Sequence, residues 1–160
     1  MENGIDSVNF RRACAKFATG IAVATVMDRE GAPHGMTVNS FTSVSAGPPL
    51  VLICVDKASV LLELFRAAGQ YGISVLKDGQ RELSQRFAER GEDRFNSTPW
   101  IAGRIGVPLL PDALAHFECE IRQSVDAGDH AVLIAEVLAL NMFEGSPLVY
   151  FDSGYRTGIW

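Results

Sequence analysis

Short segments of strand type, separated by turn residues, far outnumber helical segments in this 160-residue sequence. Fifteen glycines and seven prolines punctuate it, and both residues favour turns because their backbone angles suit abrupt changes of direction. The strand-type segments are 21–27, 34–37, 41–45, 50–55, 71–76, 117–122, 130–140, 148–151 and 155–159. Helical spacing is confined to 7–18, 60–67 and 80–88. We therefore predict a mainly β fold, an antiparallel barrel with a few short helices rather than a doubly wound sheet.

Four local patterns carry sharper expectations. Residues 50–55 are apolar on both faces, which predicts a central strand. Apolar and charged residues alternate over 117–122, so Glu118 is expected to face water. Ser7 is the expected N-cap of the first helix. The stretch 89–111 has no regular pattern, and irregular segments of that length in compact domains are typical of binding loops.

Size and charge limit the classes of function. At 17.3 kDa the chain fits a single domain over residues 1–160. Fourteen basic and nineteen acidic residues give a net charge of −5, without the cluster of Lys and Arg that binding to nucleic-acid phosphates requires. No apolar run nears the roughly 20 residues that span a bilayer, and the N-terminus lacks a signal-peptide pattern. We predict a cytoplasmic protein that binds neither nucleic acid nor membrane.

The sequence lacks the common metal and nucleotide motifs. Cys14, Cys54 and Cys119 are scattered, and His34 and His116 have no clustered partners, so we predict no metal site and no disulfide framework. There is no G-x-G-x-x-G dinucleotide motif, no phosphate-binding loop of the G-x-x-x-x-G-K-[ST] type and no G-x-S-x-G nucleophile elbow. These absences disfavour a Rossmann enzyme, a nucleoside triphosphatase and a serine hydrolase of that type.

The first candidate segment is the polar run 35–45, which reads GMTVNSFTSVS. Thr37, Asn39, Ser40 and exposed backbone amides would supply the alternating donors and acceptors that a planar heterocycle with carbonyls and ring nitrogens needs. The same pattern is also typical of a solvated edge strand, in which Ser and Thr are common. Spacing alone does not separate these two interpretations.

The second candidate segment follows the strand at 50–55 and reads CVDKASV from Cys54 to Val60. Backbone amides at a helix N-terminus, together with Ser59 and Lys57, would form a phosphate-binding site. The alternative interpretation is equally simple: Ser59 is the N-cap of the second helix and Lys57 is a surface charge.

Three further positions are candidates. Arg94 could bind a phosphate, or it could pair with Glu92, Asp93 or solvent. His130 follows the turn at Gly128-Asp129, where an imidazole could donate a hydrogen bond to a ligand carbonyl or move a proton. A histidine at the end of a strand is also commonly structural. The aromatic residues near the C-terminus could stack on a ring or belong to the core, and they are Tyr150, Phe151 and Tyr155.

Taken together, these segments resemble the short-chain flavin reductase family. The resemblance rests on GMTVNSFTSVS followed by PPLV, on CVDKAS, on Phe87-Ala88 and on the Gly128-Asp129-His130 turn. It covers the chain from about residue 10 to 157, and the loop at 89–111 matches least well. It implies a single flavin reductase-like domain with an FMN-binding split β-barrel of antiparallel, Greek-key type, assembled as a homodimer.

The resemblance also implies a site. In similar proteins the T-V-N-S stretch, the segment after the following strand, and scattered later positions contact FMN or FAD. The corresponding residues are Thr37, Val38, Asn39, Ser40, Cys54, Val55, Asp56, Lys57, Ser59, Val60, Phe87 and Arg94. His130, the one expected catalytic residue, and Tyr155 would approach the nicotinamide of NADH or NADPH.

The activity implied is an NAD(P)H:flavin oxidoreductase that passes hydride to FMN or FAD and supplies reduced flavin to a separate monooxygenase. Because the cofactor carries the chemistry, no strong base or nucleophile is expected in the chain. One alternative is a non-catalytic flavin- or haem-binding split-barrel protein. Another is an enzyme like pyridoxamine-phosphate oxidase, which would need more Arg and Lys in the site segments than this sequence offers.

Overall fold

A computed structural model describes residues 4–91 and 94–158 of the chain. Within them the helices are α1 (Ser7–Cys14), α2 (Leu61–Ala68) and α3 (Arg81–Ala88). The strands are β1 (Thr19–Gly20), β2 (Ala22–Met27), β3 (Pro33–Val38), β4 (Thr42–Ala46), β5 (Pro49–Asp56), β6 (Gln70–Val75), β7 (Ile101–Ala102), β8 (Pro108–Leu109), β9 (Ala115–Ala127), β10 (His130–Met142), β11 (Val149–Phe151) and β12 (Gly154–Arg156). The mainly β prediction is confirmed. None of the described helices is long and apolar enough to cross a membrane.

The main sheet has seven strands in the order β3-β2-β6-β9-β10-β5-β4, and every neighbouring pair is antiparallel. Its two edge strands, β3 and β4, follow each other directly in the chain, separated by residues 39–41. Six strand spacings would set the edges of a flat sheet about 29 Å apart, whereas a connection of this length spans at most about 15 Å between the Cα atoms of Val38 and Thr42. The sheet is therefore strongly curled.

Curling gives the sheet two apolar faces to bury. In β2, Ala22, Ala24 and Val26 contribute to one core cluster, which includes Phe65 of α2 and the central strands. Val23, on the opposite face, contributes to a second cluster with Phe87 of α3. The strand therefore has cores on both sides, and its neighbour β3 lies between α2 on one face and α3 on the other.

The prediction that residues 50–55 form a central strand is confirmed only in part: β5 is an internal strand, paired with β10 and with β4, but it is not buried on both faces. The strand they form, β5, lies next to the edge strand β4. Val51, Ile53 and Val55 are buried in the first core cluster, while the side chains between them are only half-buried. An apolar run predicted burial on both faces, but in a single chain only one face of β5 is covered.

The prediction for Glu118 is also wrong, because its side chain is only 1% exposed. The carboxylate accepts hydrogen bonds from the backbone N–H groups of Arg104 and Ile105, at 3.0 and 2.8 Å. These bonds compensate for the loss of water, since a buried carboxylate needs donors around it. Gly103 permits the approach: a Cβ there would lie 2.4 Å from the Oε2 atom of Glu118. A loop therefore covers the face of β9 that the alternation of apolar and charged residues predicted to be exposed to water.

The first helix begins at Ser7, the residue that was expected to cap it. Asp6, not Ser7, is the N-cap, and its carboxylate accepts from the N–H groups of Val8 and Asn9 at 2.9 and 2.8 Å. The stretch 89–111 is less irregular than predicted, because β7 and β8 pair within it. The predicted last strand is shorter, since β12 ends at Arg156 and Ile159 lies outside the described residues.

Candidate functional site

A cleft of about 890 Å³ runs along β3. One wall is the turn after β5 with the start of α2, and the other is the end of α3 with the segment that follows it. The lining residues are Ala32, Pro33, His34, Gly35, Met36, Thr37, Asp56, Ala58, Ser59, Val60, Leu61, Phe87, Ala88, Arg90, Gly91, Arg94 and Phe95. The cleft therefore follows an edge of the main sheet.

The backbone of β3 has hydrogen-bonding groups that point away from β2, toward this cleft. The N–H of Asp28 bonds the carbonyl of Ala32, so that Ala32 and every second residue after it face β2, because successive residues of a strand point to opposite edges. Gly35 and Thr37 therefore direct their N–H and C=O groups away from β2. Pro33, which has no N–H, belongs to this outward set, where a missing donor costs no ladder bond.

The α2 wall is a tight turn that ends in a helix N-terminus. Asp56 accepts from the N–H of Ala58 through its carboxylate, at 2.8 Å, and from the N–H of Ser59 through its carbonyl, at 2.9 Å. Ser59 accepts from the N–H of Leu61 at 3.3 Å. Val60, not Ser59, is the N-cap of α2 and gives the helix no side-chain hydrogen bond. Its side chain is 85% exposed, so the positive end of the helix dipole is open to a ligand.

The α3 wall is fixed to β3 by the Thr37 side chain. Its hydroxyl donates to the carbonyl of Ser84 at 2.6 Å, and the Ser84 hydroxyl lies 2.8 Å from the Tyr155 hydroxyl. Phe87 is buried beneath the cleft and packs edge-to-face on Phe95, with ring centroids 5.0 Å apart. These contacts hold α3 against the strand, with aromatic rings as the apolar floor.

Arg94 connects the segment after α3 to the edge of β3. Its guanidinium donates to the carbonyl of Gly35 at 2.5 Å and to the carbonyl of Glu89. Burial lowers the pKa of Arg94 below its usual value, although an arginine remains charged under all ordinary conditions. The predicted alternative pairing with Glu92 or Asp93 falls outside the described residues. Two N–H donors of Arg94 are thus already bound to backbone carbonyls of the protein.

Of the residues predicted from sequence, six line the cleft: Thr37, Asp56, Ser59, Val60, Phe87 and Arg94. Others have structural partners. Val38 and Val55 are buried in the first core cluster. The Ser40 hydroxyl accepts from the N–H of Cys54 at 2.9 Å. This bond continues the pairing along β5 past Thr42, the first residue of β4. Asn39 is exposed just beyond β3.

Lys57 and His130 lie at the β9–β10 turn, beside the cleft but not in its lining. Lys57 donates from Nζ to the carbonyl of Gly128 at 3.0 Å. His130 is the strand partner of Asp56, which does line the cleft. Its Nδ1 lies 2.7 Å from the Asp129 carboxylate, and this hydrogen bond lowers the pKa of Asp129. Tyr155 is tied to Ser84 and lies outside the lining as well.

Sequence reasoning missed much of the wall at the start of β3 and after α3. His34, Arg90 and Phe95 are examples. In the sequence His34 has no clustered metal ligands beside it, and Arg90 belongs to no motif. Only the position of β3 as an edge strand brings these residues to one cleft, and that position depends on pairing across the whole chain.

Comparison with known proteins identifies the family. Residues 14–158 match the flavin reductase like domain. The chain belongs to this family. A probable flavin reductase of Rhizobium meliloti (strain 1021) is 43% identical over 147 residues, which are 92% of this chain. The chain spans only 47% of that relative's length.

Two solved structures of flavin reductases are also similar. The NADH:FAD oxidoreductase SgcE6 of Streptomyces globisporus C-1027, in complex with NAD and FAD fragments, has a TM-score of 0.91 and 37% identity. The alignment covers 96% of this chain and 93% of that one. The styrene monooxygenase flavin reductase SMOB of Pseudomonas putida S12 has a TM-score of 0.88 and 40% identity, with 95% and 98% covered.

Replacing Arg94 should loosen the α3 wall. Arg94→Ala removes the donors to Gly35 and Glu89, so the segment around the end of α3 opens more often. We expect amide hydrogen exchange of residues 86–91 to rise about tenfold, since local opening free energies fall when such links are lost. Arg104→Ala is the matched control, because the Arg104 side chain is exposed and makes no hydrogen bond within the described residues. Equal exchange in the two variants would contradict the proposed link.

Proposed function

We propose that this chain is an NAD(P)H:flavin oxidoreductase that uses FMN or FAD. The observation that carries the proposal is the unpaired edge of β3, which faces a cleft with an open helix N-terminus on its opposite wall. Membership of the flavin reductase family supports the same activity. The absence of a Rossmann motif is consistent with this activity. A nicotinamide can stack directly on a flavin held in the cleft, so no separate dinucleotide-binding fold is needed.

The cleft fits the parts of a flavin. The outward N–H groups of Gly35 and Thr37 and the outward C=O of Thr37 match acceptors and donors of a pyrimidine edge, while the C=O of Gly35 is already bound by Arg94. The start of α2, with Ser59 and Val60, suits the phosphate that FMN and FAD share. Phe87 and Phe95 supply an apolar floor. Thr37 serves through its backbone, because its hydroxyl is already donated to Ser84.

Bound flavin would supply the hydride acceptor, and the chain would supply binding, orientation and exclusion of water. The N–H groups of Gly35 and Thr37 would stabilise negative charge that develops near them, because fixed donors in a site shielded from water need no reorganisation. Thr37 and Ser84 hold α3, and Arg94 holds the segment after it. None of these tasks needs a nucleophile.

We further propose that His130 contacts the nicotinamide. Its strand pairing with Asp56 places it next to the cleft wall, and the Asp129 carboxylate fixes one ring nitrogen. Tyr155 supports the site from behind, since its hydroxyl contacts Ser84 and Arg81 lies over its ring at 5.1 Å. Tyr155 is therefore a positioning residue in this proposal.

A homodimer of split barrels is the assembly we propose. The curled sheet supports the barrel, and exposed apolar side chains support the dimer: Leu138, Leu140 and Met142 lie near the end of β10, and Val8, Phe10 and Phe17 lie in or near α1. Such a set is unusual on the surface of a monomer. Sedimentation equilibrium should give about twice the 17.3 kDa of one chain, and a mass near 17.3 kDa would contradict the dimer.

Reduced flavin would pass to a separate monooxygenase, as the name of the related styrene monooxygenase reductase suggests. The cytoplasmic location stays a prediction, as does a single domain over residues 1–160. A non-catalytic flavin- or haem-binding protein is not favoured, because related chains such as SgcE6 and SMOB are flavin reductases.

The activity can be tested directly. Purified protein, with its absorbance spectrum recorded first, is mixed with NADH or NADPH and with riboflavin, FMN or FAD. We expect oxidation of at least one nicotinamide cofactor that depends on added or bound flavin. No oxidation under any combination, with a folded protein, would exclude the proposed function.

His130→Ala separates the nicotinamide step from flavin binding. We expect kcat/KM for NADH or NADPH to fall about tenfold, as for the loss of one charge-assisted hydrogen bond. The Kd of flavin should change less than twofold, because His130 is outside the cleft lining. Asp152→Ala is the control, a carboxylate in a surface ion pair with Lys16. Turnover equal to the parent's would remove His130 from the mechanism.

A further inference from the structure

The hairpin turn that precedes His130 is very short. Gly128 and Asp129 form a two-residue loop between β9 and β10, and Ala127 and His130 are strand partners on either side of it. Gly128 has a φ of 60°, a left-handed conformation that glycine adopts without strain and that tight hairpin turns require. Because His130 is the first residue after this loop, its placement depends on the conformation of the loop.

Lys57 binds both peptide groups that flank Asp129. Its Nζ donates to the carbonyl of Gly128 at 3.0 Å, and its backbone N–H donates to the carbonyl of Asp129 at 2.9 Å. The first carbonyl belongs to the peptide group before Asp129 and the second to the peptide group after it. Since a peptide group is planar, holding both carbonyls fixes the backbone on each side of Asp129. Lys57 thereby sets the direction in which the Asp129 side chain leaves the loop.

Asp129 in turn orients the imidazole of His130. Its carboxylate lies 2.7 Å from Nδ1 of His130. Because a carboxylate only accepts hydrogen bonds, Nδ1 carries a proton and Nε2 is left for other contacts. The Asp129 side chain is 92% exposed, so its direction depends on the backbone that carries it rather than on packing around it.

A second cation binds the same hairpin at a different place. Nζ of Lys57 lies 3.4 Å from Oδ2 of Asp126, and Lys57 is the main cause that lowers the pKa of Asp126. Arg66 of α2 binds Oδ1 of Asp126 and the Ser124 hydroxyl, at 2.9 and 3.1 Å. Arg66 therefore holds the hairpin before its loop, whereas Lys57 also holds the loop itself. This difference separates support of the hairpin in general from placement of Asp129.

Lys57 also connects the loop to the cleft. Its chain neighbours Asp56 and Ala58 both line the cleft, while Lys57 is outside that lining. The ammonium group of Lys57 is bound to the hairpin, so the structure gives it a partner other than the phosphate considered from the sequence.

We infer that Lys57 is a positioning residue for His130, which acts on the nicotinamide step by holding the backbone around Asp129. The inference rests on the proposed function, because it assigns Lys57 a task only through the proposed contact of His130 with the nicotinamide. It distinguishes Lys57 from a ligand of flavin, since a flavin ligand would change flavin affinity first.

Lys57→Met tests this role, because it keeps most of the aliphatic stem and removes the donor. We expect kcat/KM for the nicotinamide cofactor to fall about fivefold, since small misplacements of a contacting group slow a reaction. The Kd of FMN or FAD should stay within about twofold, and Lys57→Arg should restore part of the rate, because a guanidinium also donates to carbonyls. A Kd of flavin that rises as much as kcat/KM falls would overturn the inference.

Arg66→Met is the matched control. It removes the other cation bound to Asp126 but leaves the contacts of Lys57 with the loop in place. We expect its kcat/KM to stay within about twofold of the parent's value, as is usual when an exposed ion pair is lost. A fall equal to that of Lys57→Met would show that general support of the hairpin matters, and would contradict the specific role of Lys57.

A double-mutant cycle with His130→Ala decides whether Lys57 acts through His130. In the His130→Ala background the Lys57→Met change should alter kcat/KM by less than about twofold, because coupled residues are not additive. The same fivefold fall in both backgrounds would overturn the inference.

The two possible failures are distinguishable. Unchanged turnover in Lys57→Met beside a slower His130→Ala would overturn the role of Lys57 and leave the proposed function intact. A parent protein that oxidises neither NADH nor NADPH with any flavin would overturn the proposed function. Amide exchange of residues 127–131 needs no activity: exchange no faster in Lys57→Met than in Arg66→Met would by itself overturn the claim that Lys57 holds the loop.

Discussion

The short connection from β3 to β4 constrains the rest of the structure. It joins the two edges of a seven-stranded sheet through residues 39–41, so the sheet must curl. Curling gives β2 a core on each face and sets α2 and α3 on opposite faces of β3. The outer edge of β3 then has no strand beside it in the described chain, and the space between the two helices becomes the cleft.

An unpaired strand edge is normally a risk, because it can pair with another chain. Here the edge is modified along its length. Pro33 offers no N–H, and the carbonyl of Gly35 is occupied by Arg94, which also lies across the edge. Thr37 remains open, with α2 and α3 on either side. These features disfavour a long strand but leave room for a small planar molecule.

Local patterns predicted the elements well, because strand and helix periods are properties of neighbouring residues. The turn before His130 and the helix over 81–88 are examples. Positions that depend on distant packing were not predictable in this way. The burial of Glu118 depends on a loop that begins fifteen residues earlier in the chain, and the outer place of β5 depends on strand order.

The functional site shows the same difference between features that local sequence predicts and features that depend on distant packing. The resemblance pointed to the T-V-N-S residues, and the structure brings their strand to the cleft, but their side chains are mostly bound within the protein. Thr37 donates to Ser84, Val38 is in the core, and Ser40 binds Cys54. The side chains of this motif therefore fix the strand, and the backbone remains for the ligand.

A backbone edge recognises the part that all flavins share, so it cannot by itself distinguish FMN from FAD. Arg94, a candidate phosphate ligand by sequence, is held by the carbonyls of Gly35 and Glu89. The part that FMN and FAD share is thus assigned to the rigid edge of β3, and Arg94 serves to hold that edge rather than to select between the two flavins.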